Sequence, residues 1–276
     1  SGVAAVLLVA MLGWFMRPPG MAPSSPEMVV RHFQGSSERL GTKGAPSVLE
    51  PGLRLAAGDV LRTGAGYVAL SYGGFDLRLN RNTRLRLGID GVELETGEIF
   101  VSSGKKQQGQ QLLVRTARGD IRDIGTQFIV RLAGGDLLAT VREGSIELTT
   151  DGSSYLVEAS AERARQITAS EGGDIHLADA AARGSEWTWI HRAGKAFELE
   201  GASALAFLEW VARETGRELV FAGEAARIYA STTLLSGDIA GLDPEQALDP
   251  VLATTDLVAG QPANHTLTIS LQRPGT

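Results

Sequence analysis

Residues 68–87 read VALSYGGFDLRLNRNTRLRL, and the alternation inside this stretch decides the fold class. Val68, Leu70 and Tyr72 stand at every second position; past Gly74, Phe75, Leu77 and Leu79 alternate with Asp76, Arg78 and Asn80, and Leu85 and Leu87 alternate with Arg84 and Arg86. A period of two puts one set of side chains on a single face of a pleated strand, whereas a helix needs apolar positions three and four apart.

The same period continues through Val92/Leu94, Ile99/Val101, Leu112/Val114, Phe128/Val130, Val141 and Ile146/Leu148. Turn residues such as Gly64, Gly91, Gly97, Gly119, Gly144 and Gly152 separate the runs. Short, closely spaced strands predict an all-β sandwich, barrel or solenoid-like roll over residues 48–168. No exact repeat is visible; only a Thr-Gly or Gly-Ser/Thr punctuation recurs at strand ends.

Upstream, residues 2–16 carry no charge before Arg17, Pro18 and Pro19, with Trp14 near that polar boundary. At ~1.5 Å per residue this run covers about 22 Å of a roughly 30 Å hydrocarbon layer. Residues 1–17 are therefore expected to be the downstream part of a membrane-spanning helix that starts before Ser1, and an indole at the boundary favours a membrane interface over a buried core helix. Residues 18–47, rich in Pro, Ser and Gly, are expected to be a tether with at most one short strand, around 28–33.

Downstream, residues 169–195 read as a second linker interrupted by Trp187 and Trp189, and residues 196–272 as a small α+β domain. Its expected elements are strands at 197–199, 218–221 and 234–239, helices from about 203 to 215 and after Asp243, and strands near Leu257 and at 266–271. Leu205, Leu208, Val211 and Ala212 share one face of the first helix, and Gly216 stands where a C-cap belongs. Asp243, Pro244 and Gln246 form a capping-box signature, and Pro250 makes the helix they open short or kinked.

The chain has 276 residues, a net charge of −6 and no cysteine. That removes disulfides and thiolate chemistry, and no basic run provides the footprint of a nucleic-acid binder. His32, His176, His191 and His265 lie far apart in sequence without a ligand-pair spacing, so no metal and no cofactor are expected. No P-loop, dinucleotide fingerprint or nucleophile elbow occurs. Arg78, Arg81, Arg84 and Arg86 could bind an anion, but Glu93 and Glu95 on the next predicted strand are expected to engage them in cross-strand ion pairs. Trp210 falls off the apolar face of its helix, as a partner-binding residue or as a side chain packed under the loop near Gly223 or against the tryptophans of the linker.

The stretch DIGTQFIV, residues 123–130, poses the chemical question. An aspartic protease needs two carboxylates sharing a proton, and the chain has no second Asp-Thr/Ser-Gly turn. A structural turn remains, with Gly125 making the bend and Thr126 opening the strand.

Together GDVLRTG (58–64), residues 68–87, LETGEIFV (94–101), VRTARGDIRDIGTQFIV (114–130) and TVREGSIEL (140–148) resemble the FecR family, membrane-anchored regulators of sigma factors. FLEWVARETGRELVF and LLSGDIAGLDPEQALDPVL, in the second domain, are similar to the short N-terminal module of secretins and TonB-dependent receptors. The resemblance implies a single-pass inner-membrane protein with most of its chain in the periplasm. It implies contact with the signalling domain of an outer-membrane TonB-dependent receptor, and with a sigma factor through a segment N-terminal to Ser1. Docking is expected on the α+β domain, by strand addition or a helix face, with Trp210, Leu235 and Ile239 as partner-binding residues. The protein is then a binding module, not an enzyme on other molecules; a cell-envelope scaffold in a secretin-like or glycan-associated assembly is the alternative. Some FecR-like proteins cut themselves at the Gly-Thr bond of this motif, which here is Gly125–Thr126 with Asp123 assisting.

Overall fold

A computed structural model describes residues 27–41, 46–104, 111–160, 162–260 and 265–272. The expected membrane span at 1–17 lies outside them. Among the described residues no helix is long and apolar enough to cross a membrane.

Seventeen strands form two sheets joined through one shared strand, Gly91–Ser102. Residues 91–96 of this strand pair with Arg84–Leu87 and, in parallel, with Leu113–Thr116. Residues 97–102 pair instead with Phe75–Leu79 and Gln127–Ala133, in the other sheet. The change of sheet falls at Gly97, whose φ of +97° suits glycine alone and whose missing Cβ would lie 2.5 Å from Cα of Thr83. The Thr83 hydroxyl bridges the bend, accepting from the Glu98 amide at 3.0 Å and donating to its carbonyl at 3.1 Å. The two sheets enclose one core, with Val68, Leu70, Leu77, Val101, Phe128 and Val130 facing Leu61, Leu85, Leu94, Val114, Ile121 and Ile146. The mainly β expectation and its alternating positions are thus correct.

The path of the chain repeats, although the sequence does not. Val60–Thr63, Tyr67–Tyr72, Phe75–Leu79 and Arg84–Leu87 make one unit; Gly119–Asp123, Gln127–Ala133, Asp136–Glu143 and Ser145–Thr150 make the next. In both, the first and fourth strands pair in one sheet and the second and third form a hairpin in the other. Between the first and second strands the chain crosses from sheet to sheet in three residues, 64–66 in one unit and 124–126 in the next.

The sheets extend past 48–168. Met28–Gln34 pairs with Tyr67–Tyr72, and Ser37–Leu40 with Val60–Thr63, so most of the described part of the expected tether is sheet. Ile175–Ala180 adds a strand beyond Ala164–Ala169 within the expected linker. The rest of that linker forms a short helix, α1 (Thr188–Ala193), which with Trp187 covers Tyr67, Phe100 and Ile129 on the outer face of one sheet. Both faces of that sheet are buried there.

The second unit holds α2 (Ala204–Thr215), Glu218–Phe221, α3 (Glu224–Thr232), α4 (Pro244–Leu252), Leu257–Ala259 and Thr266–Leu271. Ser203 caps α2, the αL residue Gly216 ends it, and the Asp243–Gln246 capping box opens α4. Pro250 is accommodated because α4 is short, as expected. Three expectations fail. Residues 197–199 and 234–239 are not strands; the segments meet through a Ser203–Leu234 bridge and bonds such as Gly201 N–H to Leu235 O, Leu235 N–H to Ala202 O and Gly237 N–H to the Glu200 carboxylate. Helix α3 was not expected, because it buries the small residues Ala226 and Ala230, which leave no strong apolar period.

Gly97→Ala should lower stability by about 1–3 kcal/mol from its left-handed backbone alone, with more from the Thr83 contact. Urea denaturation checks this; an unchanged midpoint would mean that the shared strand does not depend on its bend.

Candidate functional site

The second crossing contains Ile124, Gly125 and Thr126, and Asp123 stands at its start, fully buried. The Asp123 carboxylate accepts from the Gly125 amide at 3.1 Å and from the Thr126 hydroxyl. Gly125 has φ +112°, and Gly144 is packed so closely that its missing Cβ would lie 1.9 Å from the Gly125 carbonyl oxygen. The Ile124 amide donates to Ser145 O at 3.1 Å. Ser103, at the end of the shared strand, accepts from the Thr126 amide at 2.6 Å. Its own amide and hydroxyl donate to Thr126 O at 2.9 and 3.1 Å. The structure thus brings Asp123, Gly125 and Thr126 together and adds Ser103, a residue distant in sequence that no local motif marks.

The next residue, Gln127, faces the second domain. Its side-chain oxygen accepts from Arg142 Nε at 2.7 Å, and its nitrogen donates to Arg213 O at 3.3 Å. The Arg142 guanidinium also donates to the carbonyls of Arg213 and Glu214, both at 3.1 Å, and lies over the rings of Trp187 and Phe100. These carbonyls end α2, where unpaired C=O groups and the negative pole of the helix dipole attract a cation. Burial lowers Arg142 to about 10, which leaves it charged at neutral pH. Beside it Arg78 makes a bidentate pair with Glu214 at 2.6 and 2.8 Å, donates to Ile190 O at 2.9 Å and reaches Asp76 at 2.6 Å. Burial on its own would raise the Glu214 carboxyl, but the charge and hydrogen bonds of Arg78 outweigh it and hold the group far below the usual range.

The remaining expected residues are dispersed. Arg84 pairs with Glu95, and Arg86 with Glu93 and Glu95, as expected, whereas Arg78 is taken by Glu214 and Arg81 lies over Tyr67. Trp210 packs on Phe197 and Phe207, with ring centroids 5.3 and 5.9 Å away, and not on Trp187 or Trp189. Leu235 and Ile239 are buried in the core of the second unit. Trp210 and Ile239 border a cleft of about 880 Å³ between the units, with Tyr67, Arg81, Arg192 and Lys195 on its other walls.

Residues 59–147 match the family model described as FecR protein. The β unit is similar to this family over that segment, about a third of the chain. Two crystal structures, each of a proposed anti-sigma factor from Parabacteroides distasonis ATCC 8503, resemble this chain. One shares 17% identity at a TM-score of 0.40, covering 78% of this chain and 99% of the other. The second shares 19% at 0.36, covering 74% and 92%. No curated protein matches the chain. The matched FecR segment contains Asp123, Gly125, Thr126, Gln127 and Arg142.

The junction between the β unit and α2 can be tested in two ways. Glu214→Ala leaves buried Arg78 short of its main partner and should cost about 3 kcal/mol in urea unfolding, with partial recovery when Arg78→Met is added. A carboxyl depressed in the fold contributes its full stability above its ordinary value of 4.5, and that contribution fades as pH falls below it. The urea midpoint should therefore fall as pH drops below about 4.5, by less in Glu214→Ala than in wild type, and equal slopes in the two chains would refute the assignment.

Proposed function

We propose that this chain is the periplasmic sensor half of an inner-membrane sigma-factor regulator of FecR type, and that it relays a signal from an outer-membrane receptor by protein–protein contact. The observation that carries this reading is the clamp of Arg78 and Arg142 on the end of α2. A relay needs its docking domain held to the membrane-anchored domain, and here the α+β unit is fixed to the FecR sheet by buried, charge-assisted bonds. Residues 196–272 serve as the docking module of secretin/TonB short N-terminal type, with the Trp210 side of the cleft as the receptor surface. Cross-linking full-length protein in cells and purifying it tests this. A sigma factor and a TonB-dependent receptor should be recovered; a secretin or glycan-bound assembly without a sigma factor would establish the scaffold alternative.

We also propose that the Gly125–Thr126 bond is a self-processing site. Comparison of the two crossings supports this over a plain turn. The first unit crosses between its sheets with Gly64, Ala65 and Gly66, and the hydroxyls beside them, on Thr63 and Ser36, bond only to backbone, so the path requires no carboxylate and no hydroxyl on the crossing residues themselves. The second crossing has both, in hydrogen-bond contact. In this reading Asp123 takes the proton as Thr126 Oγ1 attacks the Gly125 carbonyl carbon. The C–N bond breaks, the proton passes to the departing Thr126 amine, and an ester joins Gly125 to Oγ1. Water then opens the ester, leaving a Gly125 carboxylate and a free Thr126 amine and hydroxyl.

Intact mass on incubation should show two pieces meeting between Gly125 and Thr126, lost in Thr126→Ala and slowed at least 100-fold in Asp123→Asn, within the range of general-base catalysis. The pieces should co-elute, because the ladder of 97–102 with Gln127–Ala133 and that of Gly119–Asp123 with Ser145–Thr150 still span the cut. A single unbroken chain would leave the motif as a turn.

A further inference from the structure

We propose that Gln127 and Arg142 are positioning residues for the Gly125–Thr126 bond, and that the C-terminal end of α2, in the other domain, sets their placement. This deepens the self-processing reading and rests on it for its chemical consequence, though not for the coupling itself.

The chain of contacts is short and buried. Gln127 directly follows Thr126 in the backbone, and both of its amide ends are occupied, by Arg142 Nε and by the Arg213 carbonyl. Arg142 lies two residues before Gly144, the residue pressed against the Gly125 carbonyl. The end of α2 therefore holds both sides of the bond: Gln127 on the strand that leaves it, and Arg142 on the strand that buttresses its carbonyl. On the α2 side the approach is equally close. Gly216 has φ +65°, and its missing Cβ would lie 2.9 Å from both Cδ and Nε of Arg142. A side chain there cannot be added without moving the guanidinium, and the guanidinium cannot move without disturbing its bond to Gln127.

An N-to-O acyl shift is sensitive to such placement, since attack requires the hydroxyl oxygen to meet the carbonyl carbon along a narrow approach. Gln127, Arg142 and α2 take no part in the bond changes. Their role is to hold Gly125 and Thr126 in the attack geometry. A partner that pulls on the α+β domain would thereby alter the rate of processing without touching Asp123 or Thr126.

The experiment uses the whole chain and a substitution remote from the bond, Gly216→Ala. Hydrogen exchange at the amides of Ile124, Gly125 and Thr126 should accelerate at least ten-fold. The amide of Gly64, in the equivalent crossing of the first unit, should exchange unchanged. The half-time for fragment formation should lengthen at least five-fold, and trapping of the ester by hydroxylamine at Gly125 should fall in proportion. Gln127→Leu should slow processing likewise, while Gln127→Glu, which still accepts from Arg142, should recover part of the rate. Should Gly216→Ala fail to fold, Arg142→Lys keeps the charge but cannot reach Gln127 and two carbonyls together, and the same changes are expected. Exchange at 124–126 that matches wild type in these variants overturns the proposal. Altered exchange in a chain whose wild type never cleaves upholds the coupling and refutes the self-processing reading.

Discussion

Strand Gly91–Ser102 has to serve two sheets at once, and the rest of the structure is arranged around that requirement. A strand can leave one ladder and join another only where its backbone bends sharply, which here requires Gly97 and the Thr83 hydroxyl that replaces the interrupted ladder bonds. Once the bend is fixed, each half of the strand recruits its own neighbours, and the two inner faces close on one apolar core. The strand ends at Ser102, and the adjacent Ser103 grips Thr126 on both its amide and its carbonyl. The candidate bond is therefore anchored to the element that joins the two sheets.

The outer face of the same sheet explains how a second domain is attached. Arg78 and Arg142 are both about 5% exposed. Burying a guanidinium carries a large desolvation cost that only close, well-aligned acceptors offset. The end of α2 offers them in the form of the Glu214 carboxylate and the Arg213 and Glu214 carbonyls, with Trp187 and Phe100 as aromatic surfaces beneath. Removing one partner of such a pair leaves a buried charge uncompensated, so the two sides of the junction depend on each other. Lysine would not substitute, because a single ammonium cannot satisfy an amide oxygen and two carbonyls spread over a planar fork.

The sequence reveals what depends on local periodicity and hides what depends on long-range contact. The alternation at 68–87, the caps at Ser203, Gly216 and Asp243, and the Arg84/Arg86 pairing with Glu93 and Glu95 were all readable, because each rests on residues near one another in the chain or on adjacent strands. Arg78 was grouped with those arginines on the same grounds, yet its partner lies 136 positions away. The α1 segment looked like a linker because its two tryptophans become informative only once Tyr67, Phe100 and Ile129 are seen to need a cover. Asp123, Gly125 and Thr126 stand out as a motif, whereas Ser103 carries no local signal, and Gln127 and Arg142, though inside DIGTQFIV and TVREGSIEL, give no sign of their contact with α2. The repeated path was hidden for a related reason: the two units share strand pairing and not residues.

Gly125–Thr126 lies where three separately held pieces converge: the end of the shared strand at Ser103, the strand carrying Arg142 with Gly144 just past its end, and the end of α2. These attachments are not equally firm. Ser103 holds Thr126 with bonds of 2.6 to 3.1 Å inside the β unit. The link from α2 to Gln127 is a neutral bond of 3.3 Å, and the links to Arg142 are charge-assisted at 3.1 Å. Hydrogen bonds to charged groups are about twice as strong as neutral ones, so a small displacement of α2 breaks the direct bond to Gln127 first and leaves Gln127 tied to α2 only through Arg142. The strand leaving the bond would then loosen while the buttress behind its carbonyl stayed in place, which is the order of events that lets a distant domain adjust the geometry of one peptide bond without unfolding the sheet that contains it.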